Sequence, residues 1–135
     1  VRPASIDEAE QLLIAPGAEV LELERIRLLD GVPVALERNR LALALAPDLP
    51  KGDFAANSLY DALRAAGSAP ARSDYVLQAI SADAVQAEAL EVEVAAPLLM
   101  ASARTFTETG RPVELSCSVY RGDRYRFRTT LFQAG

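Results

Sequence analysis

The sequence has no histidine, a single cysteine, and one lysine among its 14 basic residues. Each scarcity excludes something. With Cys117 alone no intramolecular disulfide can form, which fits a reducing cytoplasm. Without histidine, the residue best suited to general acid–base work near neutral pH is missing. No cluster has metal-ligand spacing, no nucleophile stands ready for activation, and no cofactor is called for. The apolar runs are far too short to cross a bilayer, and no stretch reads as a secretory signal. A net charge of −5 also argues against a surface that grips nucleic-acid phosphates, so the chain is not expected to hold DNA by itself.

What remains is a chain of 135 residues, half of them hydrophobic, with clear periodicity. That length suits one domain over residues 1–135, able to bury roughly two-thirds of its unfolded surface. The chain opens on Val1 rather than methionine and reads as part of something longer. Its most informative stretch is Leu21 to Leu43, LELERIRLLDGVPVALERNRLAL, with Asp30-Gly31 as a hairpin signal. Alternation along the first arm puts Leu21, Leu23, Arg25, Arg27 and Leu29 on one face of a strand, and Glu22, Glu24, Ile26 and Leu28 on the other. Two arginines thus share a face with leucines. A guanidinium there needs a paired anion, because its desolvation is costly. Glu37 on the returning arm is the internal candidate, giving a cross-strand ion pair. The other reading is a small-anion site, since the planar fork suits carboxylate or phosphate. Register is open at this point. A two-residue turn sets Arg25 opposite Leu36, whereas one more residue, with a bulge, sets it opposite Glu37.

Elsewhere, Ser5-Ile6-Asp7-Glu8 is a capping-box pattern that predicts a short helix with Ala9, Leu12 and Leu13 inward, ended by Pro16-Gly17. Ala46 to Asp53 forms a turn-rich connection. Ser58-Leu59-Tyr60-Asp61 then opens a helix running to Gly67, with Leu59, Leu63 and Ala66 on its buried face. Ser58 is either a plain N-cap or part of an anion-receiving helix terminus. Tyr60 either joins the core or points its hydroxyl at a ligand. Tyr75 to Ile80 reads as a strand. The second half echoes the first. Ala87-Glu88-Ala89-Leu90 resembles Ala9-Glu10-Gln11-Leu12, while Arg104, Gly110, Pro112 and Val113 follow Arg25, Gly31, Pro33 and Val34 at one constant offset. Two helix-strand-hairpin units joined edge to edge predict an α+β fold, one antiparallel sheet with helices packed on it. Along PVELSCSVY, alternation assigns Glu114, Ser116, Ser118 and Tyr120 to one face, and Val113, Leu115, Cys117 and Val119 to the other. The polar face is either solvated or the far wall of the arginine pocket. Cys117 reads as a small core residue. A last strand is expected to end near Phe132.

These stretches together resemble the UTRA effector-binding domain of GntR-type bacterial transcription regulators, the branch typified by the histidine-utilisation repressor. The resemblance covers nearly the whole chain and rests on ERIRLLDGVPVALE, SLYDALRAAG, an A-x-x-L followed by PLL, and GRPVELS followed by YRGDRYRF. It implies a chorismate-lyase-like fold and a domain that senses a small anionic metabolite and dimerises. By its pattern in members that sense phosphosugars, it implies ligand contacts from Arg25, Arg27, Glu37, Ser58, Tyr60, Glu114 and Tyr120. It favours the longer first turn, with Arg25 facing Glu37. It also implies an upstream strand and loop, and a winged helix-turn-helix through which the parent protein, a cytoplasmic homodimer, would hold DNA. Two alternatives come from other classes. One is a chorismate-lyase-like enzyme working by electrostatic positioning; the other is a dimerisation module with a vestigial pocket.

Overall fold

The computed structural model describes residues 1–45, 47 and 58–133, the side chains of residues 58 and 59 excepted. The connection expected over Ala46 to Asp53 lies, apart from residue 47, outside the described residues. Two copies of one unit build the sheet. The first runs β1 (Arg2–Pro3), α1 (Ile6–Leu12), β2 (Glu19–Leu29) and β3 (Val32–Ala42). Then comes α2 (Ser58–Ala65), which belongs to neither copy. The second runs β4 (Pro70–Ser81), α3 (Ala84–Leu90), β5 (Pro97–Thr107) and β6 (Pro112–Arg121). Each copy therefore opens on a strand ahead of its helix. The six strands pair antiparallel in the order β1-β2-β3-β6-β5-β4. α1 and α3 pack on one face of this sheet and α2 on the other.

Local chemistry explains the repetition. Ser5 and Asp83 each cap a helix and accept from the amide of the third helical residue, Glu8 or Gln86, whose side chain accepts in return from the capping residue's amide. Both helices end on a left-handed residue, Leu13 at φ 53° and Glu91 at φ 55°. Both following loops close alike, Ala4 N–H donating to the Ala18 carbonyl at 2.8 Å and Ala82 N–H to Ala96 at 2.9 Å.

The hairpins decide where the site falls. Asp30 (φ 51°) and Gly31 (φ 78°) form a two-residue turn with both residues at positive φ, the geometry matched to strand twist and the reason glycine stands there. Leu28 pairs with Pro33 but Arg27 with Ala35, so Val34 is an extra residue bulged out of β3. Arg25 faces Glu37 as a result. The added residue lies in the strand, not in the turn where it was expected. β6 carries the matching bulge at Val113, between the pairs Thr105–Glu114 and Phe106–Pro112. Its hairpin has a loop one residue longer, closed by Thr107 N–H to the Arg111 carbonyl at 2.8 Å.

That extra loop residue corrects the echo of Arg25 in Arg104. Ala103 pairs with Ser116 as Arg25 pairs with Glu37, so Arg104 is the counterpart of Ile26 and lies on the opposite face. At the seam, Arg38 pairs with Cys117, its own counterpart, so a pseudo-two-fold axis passes between them.

Three apolar clusters fill the layers. Leu21, Leu41, Leu63 and Val113 pack beneath α2. Ala9, Leu12, Val20 and Leu115 pack beneath α1, and Ala87, Leu90, Leu98 and Val119 beneath α3. Val113 was expected beside Leu115; the bulge turns it to the α2 side instead. Leu13, expected inward, is 71% exposed because the helix has already ended in its left-handed cap. Ala66, expected in the buried face of α2, is exposed one residue past the helix. β4 is longer than the Tyr75–Ile80 expected. Residues 125–133 form no strand. Instead Tyr125 stacks on Tyr120 at 3.9 Å between ring centroids, and Phe127 on Tyr75 at 6.2 Å.

The copies also differ in the chemistry beneath their helices. On the α1 side, Arg2, Arg38 and Arg40 bind Glu8 and Glu22 in a single ion network, with Arg2 to Glu8 at 2.7 Å, Arg38 to Glu22 at 3.1 Å, and Arg40 to Glu8 at 3.2 Å. Arg2 also contacts Glu22. The register makes Ile80, Met100, Cys117 and Val119 the counterparts of Arg2, Glu22, Arg38 and Arg40, and these pack together beneath α3.

Candidate functional site

The α2 face of the sheet gathers polar groups where β2, β3 and β6 run side by side. Period-two alternation brings Arg25, Glu37 and Asn39 to this face, and the cross-strand pairs Glu37–Ser118 and Asn39–Ser116 extend it into β6. Arg27 Nε lies 2.8 Å from a Glu37 carboxylate oxygen, and Arg25 Nη2 lies 3.7 Å from the other. Both guanidiniums remain accessible, with side chains 37% and 60% exposed for Arg25 and Arg27. Arg25 Nε is buried and has no protein hydrogen-bond partner. One carboxylate thus serves two arginines, so positive charge is in excess.

Behind this pair lies a chain of hydrogen bonds. Arg25 donates to Asn39 Oδ1 at 3.4 Å, and Asn39 Nδ2 donates to Glu114 Oε2 at 3.1 Å. The Tyr60 hydroxyl, brought over by α2, donates to Glu114 Oε1 at 3.1 Å. Glu114 is completely buried, and burial holds its carboxyl above the ordinary carboxylate range against the pull of Asn39, Tyr60 and Arg25. Desolvation, then the charge of Glu114, pushes the Tyr60 hydroxyl up to about 12. It therefore stays a proton donor at neutral pH.

Of the residues singled out in the sequence, Arg25, Arg27, Glu37, Tyr60 and Glu114 converge here. Tyr120 shares the face, paired with Ala35 one step beyond Arg27, but its ring is stacked on Tyr125. Ser58 begins α2, and its side chain lies outside what is described. Asn39 was not singled out, though its place two residues after Glu37 was a legible signal. Among the described residues no group of three acidic or cysteine side chains is set to hold a metal, and no helix is long and apolar enough to cross a membrane.

This arrangement sits in a fold already known. Residues 1–126 match the UTRA domain model. The chain belongs to the UTRA domain family. It is 32% identical to the transcriptional repressor NagR of Bacillus subtilis over 90% of its length and 52% of the relative's. It is 34% identical to the probable transcriptional regulator PhnF of Escherichia coli, covering 94% of this chain and 53% of that one. It superposes on the effector domain of PhnF from Mycobacterium smegmatis with a TM-score of 0.89 at 30% identity, covering 97% of this chain and 81% of that one. The chain spans about half the length of the curated relatives it matches. UTRA domains of this kind are the effector-binding parts of GntR-type transcription regulators, and the relatives' names mark regulators rather than enzymes.

Proposed function

We propose that this UTRA domain senses a small anionic metabolite, such as a sugar phosphate, for a DNA-binding parent regulator that works as a cytoplasmic homodimer. The observation that carries this reading is the pair Arg25 and Arg27, half-exposed and sharing Glu37, above the buried Asn39–Glu114–Tyr60 chain. A phosphate or carboxylate entering the face would compete with Glu37 for both forks and gain bidentate, charge-assisted bonds. Glu37, Ser58, Tyr60, Glu114 and Tyr120 would read the rest of the ligand, the carboxylates and tyrosines being suited to hydroxyl groups. The ligand would shift the parent protein between two conformations by binding one of them better. DNA would be held by a separate part of the parent protein, since this chain carries a net charge of −5.

The test is a melting series with sugar phosphates, amino-sugar phosphates and small carboxylates. A true effector at a hundredfold excess over its dissociation constant should stabilise the wild type by about 2.7 kcal/mol. Arg25→Ala should lose that gain while melting, without ligand, close to the wild type. If Arg25→Ala instead unfolds the protein and no anion stabilises the wild type, the arginines serve only the internal ion pair.

A further inference from the structure

The opposite face of the sheet carries a second concentration of arginine. Past the end of α1 a groove of about 410 Å³ crosses β6, β5 and β4, bordered by Gln11, Arg38, Arg40, Arg104 and one carboxylate, Asp74, over Val76 and Leu115. The molecule supplies its own control for this feature. At the positions related by the pseudo-two-fold axis, Arg38, Arg40 and Arg104 are replaced by Cys117, Val119 and Ile26. The same backbone is therefore built there with no guanidinium. Glu22 and Glu8, the partners of Arg38 and Arg40, are likewise replaced there, by Met100 and Gln86. The comparison thus bears on Arg104 alone, which balances no carboxylate among the described residues.

Two of the three have partners, Arg38 in Glu22 and Arg40 in Glu8. Arg40 Nε is nonetheless buried with no protein hydrogen-bond partner. Arg104 makes no ion pair among the described residues. Its register partner Asp74 is engaged by Arg72 at 3.6 Å. Arg104 Nε donates to the Gln11 backbone carbonyl at 2.7 Å, and its guanidinium carbon lies 4.9 Å from the centre of the Phe106 ring. These two contacts fix the plane of the fork and leave its terminal amino groups without a counter-charge. A fixed guanidinium with uncommitted amino groups, next to two more, is the arrangement that binds an oxyanion bidentately.

We propose that this groove is a second oxyanion site, taking the phosphate or carboxylate group of a small molecule independently of the Arg25 face. The experiment is a titration of the ¹⁵N-labelled chain with inorganic phosphate, and separately with malonate, at constant ionic strength, followed by amide chemical shifts. At least one titrant should give saturable shifts centred on Gln11, Ser102, Arg104 and Cys117, and the tighter one names the preferred group. Arg104→Gln should weaken that binding at least tenfold, Arg104→Lys should recover part of it, and Arg25→Ala should leave it unchanged. Should Arg104→Gln fail to fold, the wild-type map and Arg104→Lys still decide. The proposal is overturned if neither titrant gives saturable shifts at the groove, if Arg104→Gln binds as the wild type does, or if Arg25→Ala abolishes the groove shifts.

Discussion

Glu8 and Glu114 are both enclosed carboxylates, yet their neighbours push them in opposite directions. Glu8 meets Arg2, Arg40 and the Ser5 amide, and the Arg2 hydrogen bonds above all hold it well below the ordinary range. Glu22, bound by Arg38 and Arg2, falls to about 2. Glu114 accepts hydrogen bonds from the neutral donors of Asn39 and Tyr60, with the charge of Arg25 acting without a hydrogen bond, and burial outweighs all three and lifts it. The linkage signs differ accordingly. Glu8 and Glu22 stabilise the fold above their unfolded value of about 4.3, and that contribution is lost as pH falls from there towards 2. Glu114 favours the fold while protonated, fully so below its unfolded value, and loses that advantage progressively as pH rises from there through its raised folded value. Glu114→Gln should therefore be more stable than the wild type at pH 7 and converge with it near pH 4. Urea unfolding across that range checks this, and a variant weaker than wild type at neutral pH would contradict it. The capping box at Ser5 and the carboxylate of Glu37 were legible in the sequence, whereas the matching box at Asp83 was not singled out. The opposed behaviour of the glutamates was not, because it depends on contacts between residues remote in the chain.

At the scale of elements, α2 bears on the site through one buried anchor. Leu63 is fully enclosed among Leu21, Leu41 and Val113, and it holds the helix that delivers Tyr60 to Glu114. Leu63→Ala should cost about 2–5 kcal/mol, as a cavity of that size does. It should also weaken any anion that stabilises the wild type, measured by melting with and without that anion. Unchanged anion binding would separate α2 from the site. The elements show where sequence reading succeeds. Alternation in LELERIRLL and VELSCSVY placed most side chains on their faces, because period two is fixed by strand geometry. It failed at Val113 and at the supposed twin of Arg25, where a bulge and one added loop residue reverse the facing. It also gave a final strand where the chain leaves the sheet after Arg121 and lays Tyr125 and Phe127 over Tyr120 and Tyr75.

For the molecule as a whole, the prediction concerns assembly. β4 closes one side of the sheet with an edge unpaired among the described residues, and on it Tyr75 is half exposed and Val76 more than half. Such an edge tends to recruit a partner strand, and two copies related by a two-fold axis satisfy it symmetrically. Light scattering across micromolar concentrations should report a dimer; a monomer throughout would exclude it. The seam between β3 and β6 has a different consequence, one of time. β2–β3 and β5–β6 are hairpins, and β4 reaches β5 across one short helix, so these pairings close small loops. Among the strand pairings of the described residues, only the seam joins residues remote along the chain, such as Leu36 with Val119. Closing that long loop carries the largest entropic cost before any contact rewards it. Each half can thus gather early, and the rate at which the protein reaches its native state is set by the meeting of two similar but unequal halves.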